Sequence, residues 1–339
     1  MIQLIPKIPA YQMFRYLGFP RLFPLNLTVS LTYRCNSRCK TCNIYEKKVS
    51  EFTLVEFDKT FQSIGTIPFW LTMSGGEPFL RKDIVEICQS AYVNCRPKII
   101  NIPTNGILSD IIPGKVSQIA KNSADAQIII NLSIDEIGER HDEIRNVKKN
   151  FAKAKETFNR LKELSFPNLT VGIHSVISKY NVNNFKNVYK ELNRLNPDSY
   201  ITEIAEERVE LGTLGHEIAP SIKDYCEAVD FLSKKIKERQ YNGISNITQA
   251  FRIKYYELVK KTLKEKRQIL PCYAGFISAQ ISPDGNVWAC CVKAESMGNL
   301  RDVNYNFDKV WFSNQAQRIR RPIRDKKCFC PLANASYTN

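Results

Sequence analysis

Three cysteines stand close together near the start of the chain, in the pattern Cys35-x3-Cys39-x2-Cys42. Three thiolates in one short loop can bind three irons of a cubane iron–sulfur cluster and leave the fourth iron open for an outside ligand. A structural zinc site is the alternative, but zinc normally takes four protein ligands, and no histidine or fourth cysteine lies near this loop in the sequence. We therefore interpret the loop as the binding site of a 4Fe–4S cluster.

Three other short segments place glycines, polar residues and charges just after apolar runs of strand length. They are Met73-Ser74-Gly75-Gly76-Glu77-Pro78, Pro103-Thr104-Asn105-Gly106, and the stretch from Ser133-Ile134-Asp135 to His141-Asp142-Glu143-Ile144-Arg145. Together with the cysteine loop, these segments resemble the motifs of the radical S-adenosylmethionine (radical SAM) superfamily. In that family the three-cysteine loop follows the first strand, as it does here.

The resemblance implies a binding site for S-adenosylmethionine. The glycine-rich segment is similar to the one that receives the methionyl amino group, since glycines let backbone carbonyls approach an ammonium group and Glu77 could add a complementary charge. A hydroxyl at Ser133 and a guanidinium at Arg145 would hold the cofactor's carboxylate. The implied cofactor-binding residues are Ser74, Gly75, Gly76, Glu77, Pro78, Thr104, Asn105, Ser133, Asp135 and Arg145.

One position near these motifs departs from the family pattern. The family usually has an aromatic residue just before the third cysteine, where it packs near the adenine, whereas this chain has Thr41. We expect the adenine contact to come from Ile44 or Tyr45 instead. His141 is interpreted as a turn or helix-start residue and not as an acid–base catalyst, and the same caution applies to His174.

A second set of cysteines lies near the C-terminus. Its surroundings, with Gly285-x4-Cys290, the segment 297–301 and Trp311, resemble the auxiliary-cluster domains of the same superfamily, either the short twitch form or a reduced SPASM domain. A zinc ribbon is the competing interpretation, because two pairs of cysteines also suit structural zinc. The preferred ligands of one auxiliary 4Fe–4S cluster are Cys272, Cys290, Cys328 and Cys330, with Cys291 as the alternative to Cys290.

The resemblance implies radical chemistry. The reduced cluster would pass one electron to S-adenosylmethionine, which would be cleaved to methionine and a 5′-deoxyadenosyl radical that removes a hydrogen atom from the substrate. An external one-electron donor such as flavodoxin or ferredoxin is implied as a partner. A fully ligated auxiliary cluster has no open iron for a substrate, which favours electron transfer and hence a net oxidation or a cross-link.

Three substrate classes stay open: a sugar or alcohol, often nucleotide- or lipid-linked; a ribosomal peptide; and a lipid chain. Peptide-modifying members usually bring a leader-binding domain at the N-terminus, and 26 residues are too few to build one. Oxidation of an anionic sugar or lipid-linked substrate therefore ranks first and peptide maturation second. A non-enzymatic, metal-stabilised nucleic-acid-binding protein is the remaining alternative, but no base-stacking motif or recognition helix supports it, and no nucleic-acid partner is expected.

The elements that must position these residues alternate between apolar, β-branched runs and longer amphipathic segments, which is typical of βα units around a parallel sheet. Six units are too few for a closed eight-unit barrel, so we predict an α/β fold, namely a partial (β/α)6 TIM-like barrel, with a doubly wound sheet as the alternative. The predicted strands are Leu27 to Tyr33, Phe69 to Met73, Lys98 to Ile102, Gln127 to Ile134, Leu169 to Ile177 and Ser199 to Ala205, and helices include Thr53 to Ile64, Lys82 to Val93 and Asn150 to Leu164.

The pattern divides the chain into four parts. Residues 1–26 form an N-terminal extension and residues 27–205 the partial barrel. Residues 206–270 form a helical connector or lid, with two basic amphipathic helices at Pro220 to Arg239 and Thr248 to Arg267. Residues 271–339 form a small auxiliary-cluster domain with a short β-hairpin, turning at Pro283-Asp284-Gly285-Asn286, and a helix.

Composition limits the location and the partners. The chain has 339 residues and 11 cysteines, lacks an apolar run of membrane-spanning length, and shows no secretory signal, so we expect a cytoplasmic protein with reduced thiols. The formal charge of +15 favours an anionic partner. The first 26 residues mix aromatic and apolar groups with Lys7, Arg15 and Arg21, so they predict either peripheral membrane contact or packing across the open side of the barrel.

Overall fold

One continuous sheet forms the centre of the molecule. The computed structural model describes residues 2–238 and 244–332, and within them nine strands follow one another in a single sheet. The strands are β1 (Asn26–Thr32), β2 (Trp70–Gly75), β3 (Ile99–Thr104), β4 (Gln127–Ser133), β5 (Leu169–Ile177), β6 (Ser199–Ile204), β7 (Ser278–Ile281), β8 (Asn286–Trp288) and β9 (Ser296–Asn299). Their order is β6-β5-β4-β3-β2-β1-β7-β8-β9.

The predicted α/β fold with a partial barrel is confirmed. Strands β1 to β6 are parallel to their neighbours and alternate with helices along the chain. The central strands are buried on both faces, as parallel strands covered by helices must be, and Leu27, Val29 and Leu31 of β1 are 0% exposed. The helices are α1 (Ile8–Leu17), α2 (Leu54–Ile64), α3 (Ile84–Cys95), α4 (Ile112–Asn122), α5 (Glu139–Arg145), α6 (Asn150–Lys162), α7 (Phe185–Asn193), α8 (Ile222–Glu238), α9 (Ile244–Glu265), α10 (Phe307–Trp311) and α11 (Asn314–Arg324).

The C-terminal hairpin and helix are also present, but the hairpin is joined to the barrel. Strand β7 pairs in parallel with β1, from Asn26 opposite Ser278 to Val29 opposite Ile281, and the antiparallel pairs are β7 with β8 and β8 with β9. At the hairpin turn Gly285 has a φ of +90°, and a Cβ there would lie 2.4 Å from the ring of Phe52. Both the turn and its close packing therefore require glycine.

An ion pair fastens the C-terminal region to the barrel. Thr53 caps α2, and its partner in the capping box, Glu56, also accepts from the guanidinium of Arg301 at 2.7 Å and from the hydroxyl of Tyr305 at 2.9 Å. These hydrogen bonds lower the pKa of Glu56 to about 2, with Arg301 as the largest cause. The carboxylate is therefore charged at neutral pH, and the pair fixes the loop after β9 against α2.

The two predicted basic helices are confirmed as α8 and α9, although Arg239, the predicted end of the first, lies outside the described residues. They pack in a second apolar cluster with α7 and the ends of β5 and β6. The hydroxyl of Tyr255 on α9 donates to the carbonyl of Pro331 at 3.1 Å. Helix α9 therefore contacts the segment that carries the last two cysteines.

The N-terminal helix packs against the C-terminal region. Tyr11 and Phe14 of α1 are each 4% exposed and cluster with Tyr273 and Phe276. One of the two predictions for this segment was packing across the open side of the barrel. The aromatics are buried, but they pack against the residues that follow Cys272. The other side of this segment exposes Leu17 (73%) and Phe19 (68%), among others. Peripheral membrane contact stays a prediction.

Among the described residues, none of the helices combines the length and apolar character that crossing a membrane requires.

Candidate active site

The three-cysteine loop, Cys35 to Cys42, follows β1 and is fastened to the end of α5. The amide of Arg38 donates to the carbonyl of Arg145 at 3.1 Å, and the amide of Lys40 donates to the carbonyl of Ile144 at 2.9 Å. Carbonyls in the last turn of a helix have no partner within that helix. The loop therefore caps α5, and each element fixes the position of the other.

The two glycines at the end of β2 lie directly against the backbone that leads into the loop. A Cβ at Gly75, whose φ is +125°, would stand 2.2 Å from the carbonyl oxygen of Thr32, and a Cβ at Gly76 would stand 2.3 Å from that of Arg34. The amide of Gly76 donates to Thr32 at 2.7 Å, and the amide of Glu77 donates to Arg34 at 2.9 Å. Only glycine permits this approach.

Glu77 connects the ends of β2 and β3. Its side chain is fully buried and accepts from the amides of Phe79 and Asn105 at 3.1 and 2.8 Å and from the hydroxyl of Thr104 at 2.9 Å. Burial raises its pKa to about 7 in spite of these bonds. Its hydrogen bonds go to residues at the ends of β2 and β3. From the sequence we instead expected its charge to face the cofactor's amino group.

Asn105 extends this connection to the cysteine loop. Its side-chain amide donates to the side-chain oxygen of Asn36 at 2.7 Å and lies 3.9 Å from the sulfur of Cys35. The ends of β1, β2 and β3 thus form one hydrogen-bonded unit around the first cysteine.

Asp135 and Arg145 form a buried ion pair beside the loop. The guanidinium nitrogen Nη2 lies 2.7 Å from Oδ2 of Asp135, and the two side chains are 11% and 3% exposed. Nη1 of Arg145 lies 3.7 Å from the sulfur of Cys39, and Nε is buried without a hydrogen-bond partner among the described residues. Ser133 precedes this pair at the end of β4, opposite His174 of β5. The Nε–H of Arg145 is therefore available to a ligand while Asp135 holds the guanidinium in place.

The two expected adenine contacts differ in accessibility. Ile44 is 3% exposed and packs with Tyr33 and Trp288, which leaves little of its surface for a ligand. Tyr45 is half-buried, and the guanidinium of Arg38 lies 4.3 Å from its ring centre. Of the two side chains, only that of Tyr45 is accessible to a ligand.

His141 has a structural role, as interpreted from the sequence. Its Nδ1 accepts from the amide of Asp135 at 3.2 Å, and burial lowers its pKa to about 4, so the ring is neutral at physiological pH. On β5, Nε2 of His174 lies 3.7 Å from a carboxylate oxygen of Glu203, and burial lowers the pKa of this histidine as well.

The thiols of the first set lie in surroundings that suit a cluster. All three are half-buried, and burial raises the pKa of Cys35 to about 11 and of Cys42 to about 12. Such thiols ionise at neutral pH only when bound iron stabilises the thiolates. Across residues 2–238 and 244–332, no three histidine, cysteine or carboxylate side chains converge to hold a single metal ion. A cubane cluster does not require three side chains to converge on one ion, because each thiolate binds a separate iron.

All five C-terminal cysteines border one cavity of about 130 Å³. Gln268 connects two of its walls, because its amide oxygen accepts from the amide of Cys272 at 3.2 Å and its amide nitrogen lies 3.7 Å from the sulfur of Cys328. Burial raises the pKa of Cys272 to about 12 and raises the pKa of Cys290 and Cys330. The cavity therefore offers a set of buried thiols that suits an iron–sulfur cluster.

Cys290 and Cys291 face different surroundings although they are adjacent. The thiol of Cys290 interacts electrostatically with Cys328, and those of Cys272 and Cys330 interact with Cys290. The thiol of Cys291 interacts electrostatically with Arg208, Glu210 and Glu203 as well as with Cys290, and burial raises its pKa. Because Cys290 interacts with Cys272, Cys328 and Cys330 and not with this charged group, we favour Cys290 as the ligand.

A group of charged residues in the barrel interior was not singled out from the sequence. Glu203 is the last residue but one of β6, and Glu206, Arg208 and Glu210 follow the strand. Nη2 of Arg208 lies 3.9 Å from Glu203, and Gln280 of β7 donates to Glu210. These residues share no motif, and only the signal of acidic residues just after a strand could have drawn attention to them.

Comparison with known proteins identifies the family. A model of the radical SAM superfamily matches residues 29–192, and a model of the SPASM iron–sulfur cluster-binding domain matches residues 272–331. The chain belongs to the radical SAM superfamily. These radical SAM and SPASM domains imply S-adenosylmethionine, a 4Fe–4S cluster and auxiliary iron–sulfur binding.

Curated relatives match over most of the chain, and AlbA is among them. The antilisterial bacteriocin subtilosin biosynthesis protein AlbA of Bacillus subtilis (strain 168) is 25% identical over 326 residues, covering 91% of this radical SAM chain and 66% of AlbA. The chain thus spans just under two thirds of the length of AlbA.

Two solved radical SAM structures share the fold. Streptococcus suis SuiB bound to precursor peptide SuiA has a TM-score of 0.65 at 14% identity, covering 94% of this chain and 72% of SuiB. Native anSMEcpe with bound AdoMet and the Cp18Cys peptide has a TM-score of 0.63 at 16% identity, covering 89% and 84%.

The close approach of Gly76 predicts a specific effect on the first cluster. Gly76→Ala places a methyl group against the carbonyl of Arg34, so it should displace the cysteine loop and lower the iron bound per chain by up to about half. Gly114→Ala in α4 is the matched control, because its Cβ would meet nothing within 4 Å. Iron analysis of anaerobically prepared protein is the measurement, and a full iron complement in Gly76→Ala would contradict the role of this contact.

Arg145 should contribute to cofactor affinity. Arg145→Ala removes a buried charge-assisted donor worth roughly 1.5 to 3 kcal/mol, so S-adenosylmethionine should bind about tenfold or more weakly while iron content is retained. Arg140→Ala is the control, because Arg140 lies on the same helix with its side chain 69% exposed. Calorimetric titration compares them, and equal affinities would show that the Ser133 to Arg145 stretch does not hold the cofactor.

Proposed function

We propose that this radical SAM enzyme modifies a peptide, by a net oxidation or a cross-link. The observation that carries the proposal is the match to AlbA over 91% of the chain, which extends beyond the radical SAM segment. The peptides in the SuiB and anSMEcpe structures are consistent with it, since proteins of this fold accommodate peptides.

This proposal reverses the ranking made from the sequence. Peptide maturation ranked second there because no leader-binding domain was expected within residues 1–26. An anionic small-molecule or lipid-linked substrate, expected from the charge of +15, is not supported by AlbA, SuiB or anSMEcpe.

In this proposal, the residues of the chain have the following roles. Cys35, Cys39 and Cys42 would hold the cluster that binds S-adenosylmethionine, and Arg145 would hold the carboxylate of the cofactor. Cys272, Cys290, Cys328 and Cys330 would hold the auxiliary cluster. When bound, these groups supply one-electron cleavage, hydrogen-atom abstraction and an acceptor for one electron. The external electron donor stays a prediction, and so does the oxidoreductase class.

The two adjacent cysteines give a direct test of the auxiliary ligand set. We expect Cys290→Ala to lose about half of roughly eight irons per chain, and Cys291→Ala to keep them all, because the Cys290 thiol interacts with Cys272, Cys328 and Cys330. Iron analysis with electron paramagnetic resonance of the reduced proteins measures this. The opposite result, with iron lost from Cys291→Ala alone, would assign the ligand to Cys291.

The substrate class is tested by comparing candidates with the reduced enzyme. Peptides encoded by short reading frames next to the gene should raise the output of 5′-deoxyadenosine and lose the mass of two hydrogen atoms, whereas nucleotide sugars and lipid-linked alcohols should do neither. A variant with Cys328→Ala and Cys330→Ala should still cleave S-adenosylmethionine but release no oxidised peptide. Stimulation by a sugar or lipid and by no peptide would refute the proposal.

A further inference from the structure

Several polar atoms in the barrel interior are buried but make no hydrogen bond among the described residues. They include Nε of Arg208, a carboxylate oxygen of Glu206, and Nε2 of His174. The side chain of Arg208 is 18% exposed and that of His174 is 24% exposed. Buried polar groups in folded proteins are nearly always paired, so a donor and an acceptor left open in the same place indicate a missing ligand.

These groups lie between the two sets of cysteines. His174 lies opposite Ser133 of β4, and Glu203 lies 3.7 Å from Nε2 of His174 and 3.9 Å from Nη2 of Arg208. The amide of Glu210, on the same segment, donates to the carbonyl of Cys291 at 3.3 Å. The segment after β6 is also tied to the C-terminal region, because the amide of Val209 donates to the carbonyl of Val292 at 2.9 Å. A ligand at this place is near both candidate clusters.

The unpaired groups have complementary roles. Nε of Arg208 is a donor that needs an oxygen, and the free oxygen of Glu206 is an acceptor that needs an N–H or O–H group. Glu206 and Arg208 are two residues apart on the segment after β6, so one small group can lie against both. A peptide bond presents one C=O and one N–H in a fixed plane. Glu210 is not open in this way, since Gln280 already donates to it.

We propose that Arg208 and Glu206 bind the main chain of the substrate peptide, with Arg208 donating to a carbonyl and Glu206 accepting from an amide N–H. The inference rests on the proposed function, because it assigns the peptide its binding site. Main-chain recognition tolerates variation in the side chains nearby, so this contact would fix the position of the peptide backbone without selecting particular residues.

The proposed main-chain contact is tested with peptides from a displayed random library. The library is selected for binding to the anaerobically prepared holoenzyme in the presence of S-adenosylmethionine. An enriched peptide is then synthesised with each amide in turn replaced by an ester, which removes one N–H. In the wild type one ester should weaken binding about tenfold, and in Glu206→Ala the same ester should cost about twofold or less, because its acceptor is gone. Arg208→Ala should weaken the parent peptide about tenfold.

The controls separate position from folding. Glu227→Ala and Arg194→Ala alter exposed residues of the same types and should behave as the wild type. Glu206→Gln keeps an acceptor oxygen and should keep the effect of the ester. Iron content must match among the proteins. Equal ester effects in the wild type and in Glu206→Ala, or unchanged affinity in Arg208→Ala, would overturn this inference alone, whereas a library without enrichment would contradict peptide binding itself.

Discussion

The close approach of β2 to the backbone that follows β1 determines how the rest of the site is built. Gly75 and Gly76 lie so near Thr32 and Arg34 that no side chain fits between them. This contact fixes the direction in which the chain leaves β1, and so where the three cysteines stand. Glu77 then joins β2 to β3 through three hydrogen bonds, and Asn105 returns to Asn36 in the loop.

The second set of cysteines is positioned by a different contact, the parallel pairing of β7 with β1. Because β1 is bonded to both β2 and β7, one strand fixes the positions of the two cysteine sets. The auxiliary region is therefore an extension of the barrel sheet. The charged residues after β6 lie in the interior between the two sets, where a substrate would be near both.

Local chemistry made much of this predictable. The six parallel strands, the turn at Gly285 and the motifs at the strand ends follow from periodicity and glycine placement in short segments. The pairing of β1 with β7 could not be found in this way, because it joins residues about 250 positions apart and leaves no local pattern. Ile44 likewise was offered as an adenine contact, yet it is buried by Tyr33 and Trp288, the latter from the distant C-terminal region.

The charged residues of the barrel interior show a further limit of prediction from sequence. Glu206 and Arg208 have no motif, and their meaning depends on burial and on missing partners, which only the fold provides. Cys290 and Cys291 could not be separated by sequence either, since they differ in the distant residues that each thiol interacts with.

The most direct measurement is anomalous diffraction at the iron edge from crystals grown without oxygen. Two separate iron sites should appear, one at Cys35, Cys39 and Cys42 and one in the cavity bordered by Cys272, Cys290, Cys328 and Cys330, with the side chains of Glu206 and Arg208 between them. A single iron site, zinc in the C-terminal cavity, or iron bound by Cys291 in place of Cys290 would contradict this arrangement.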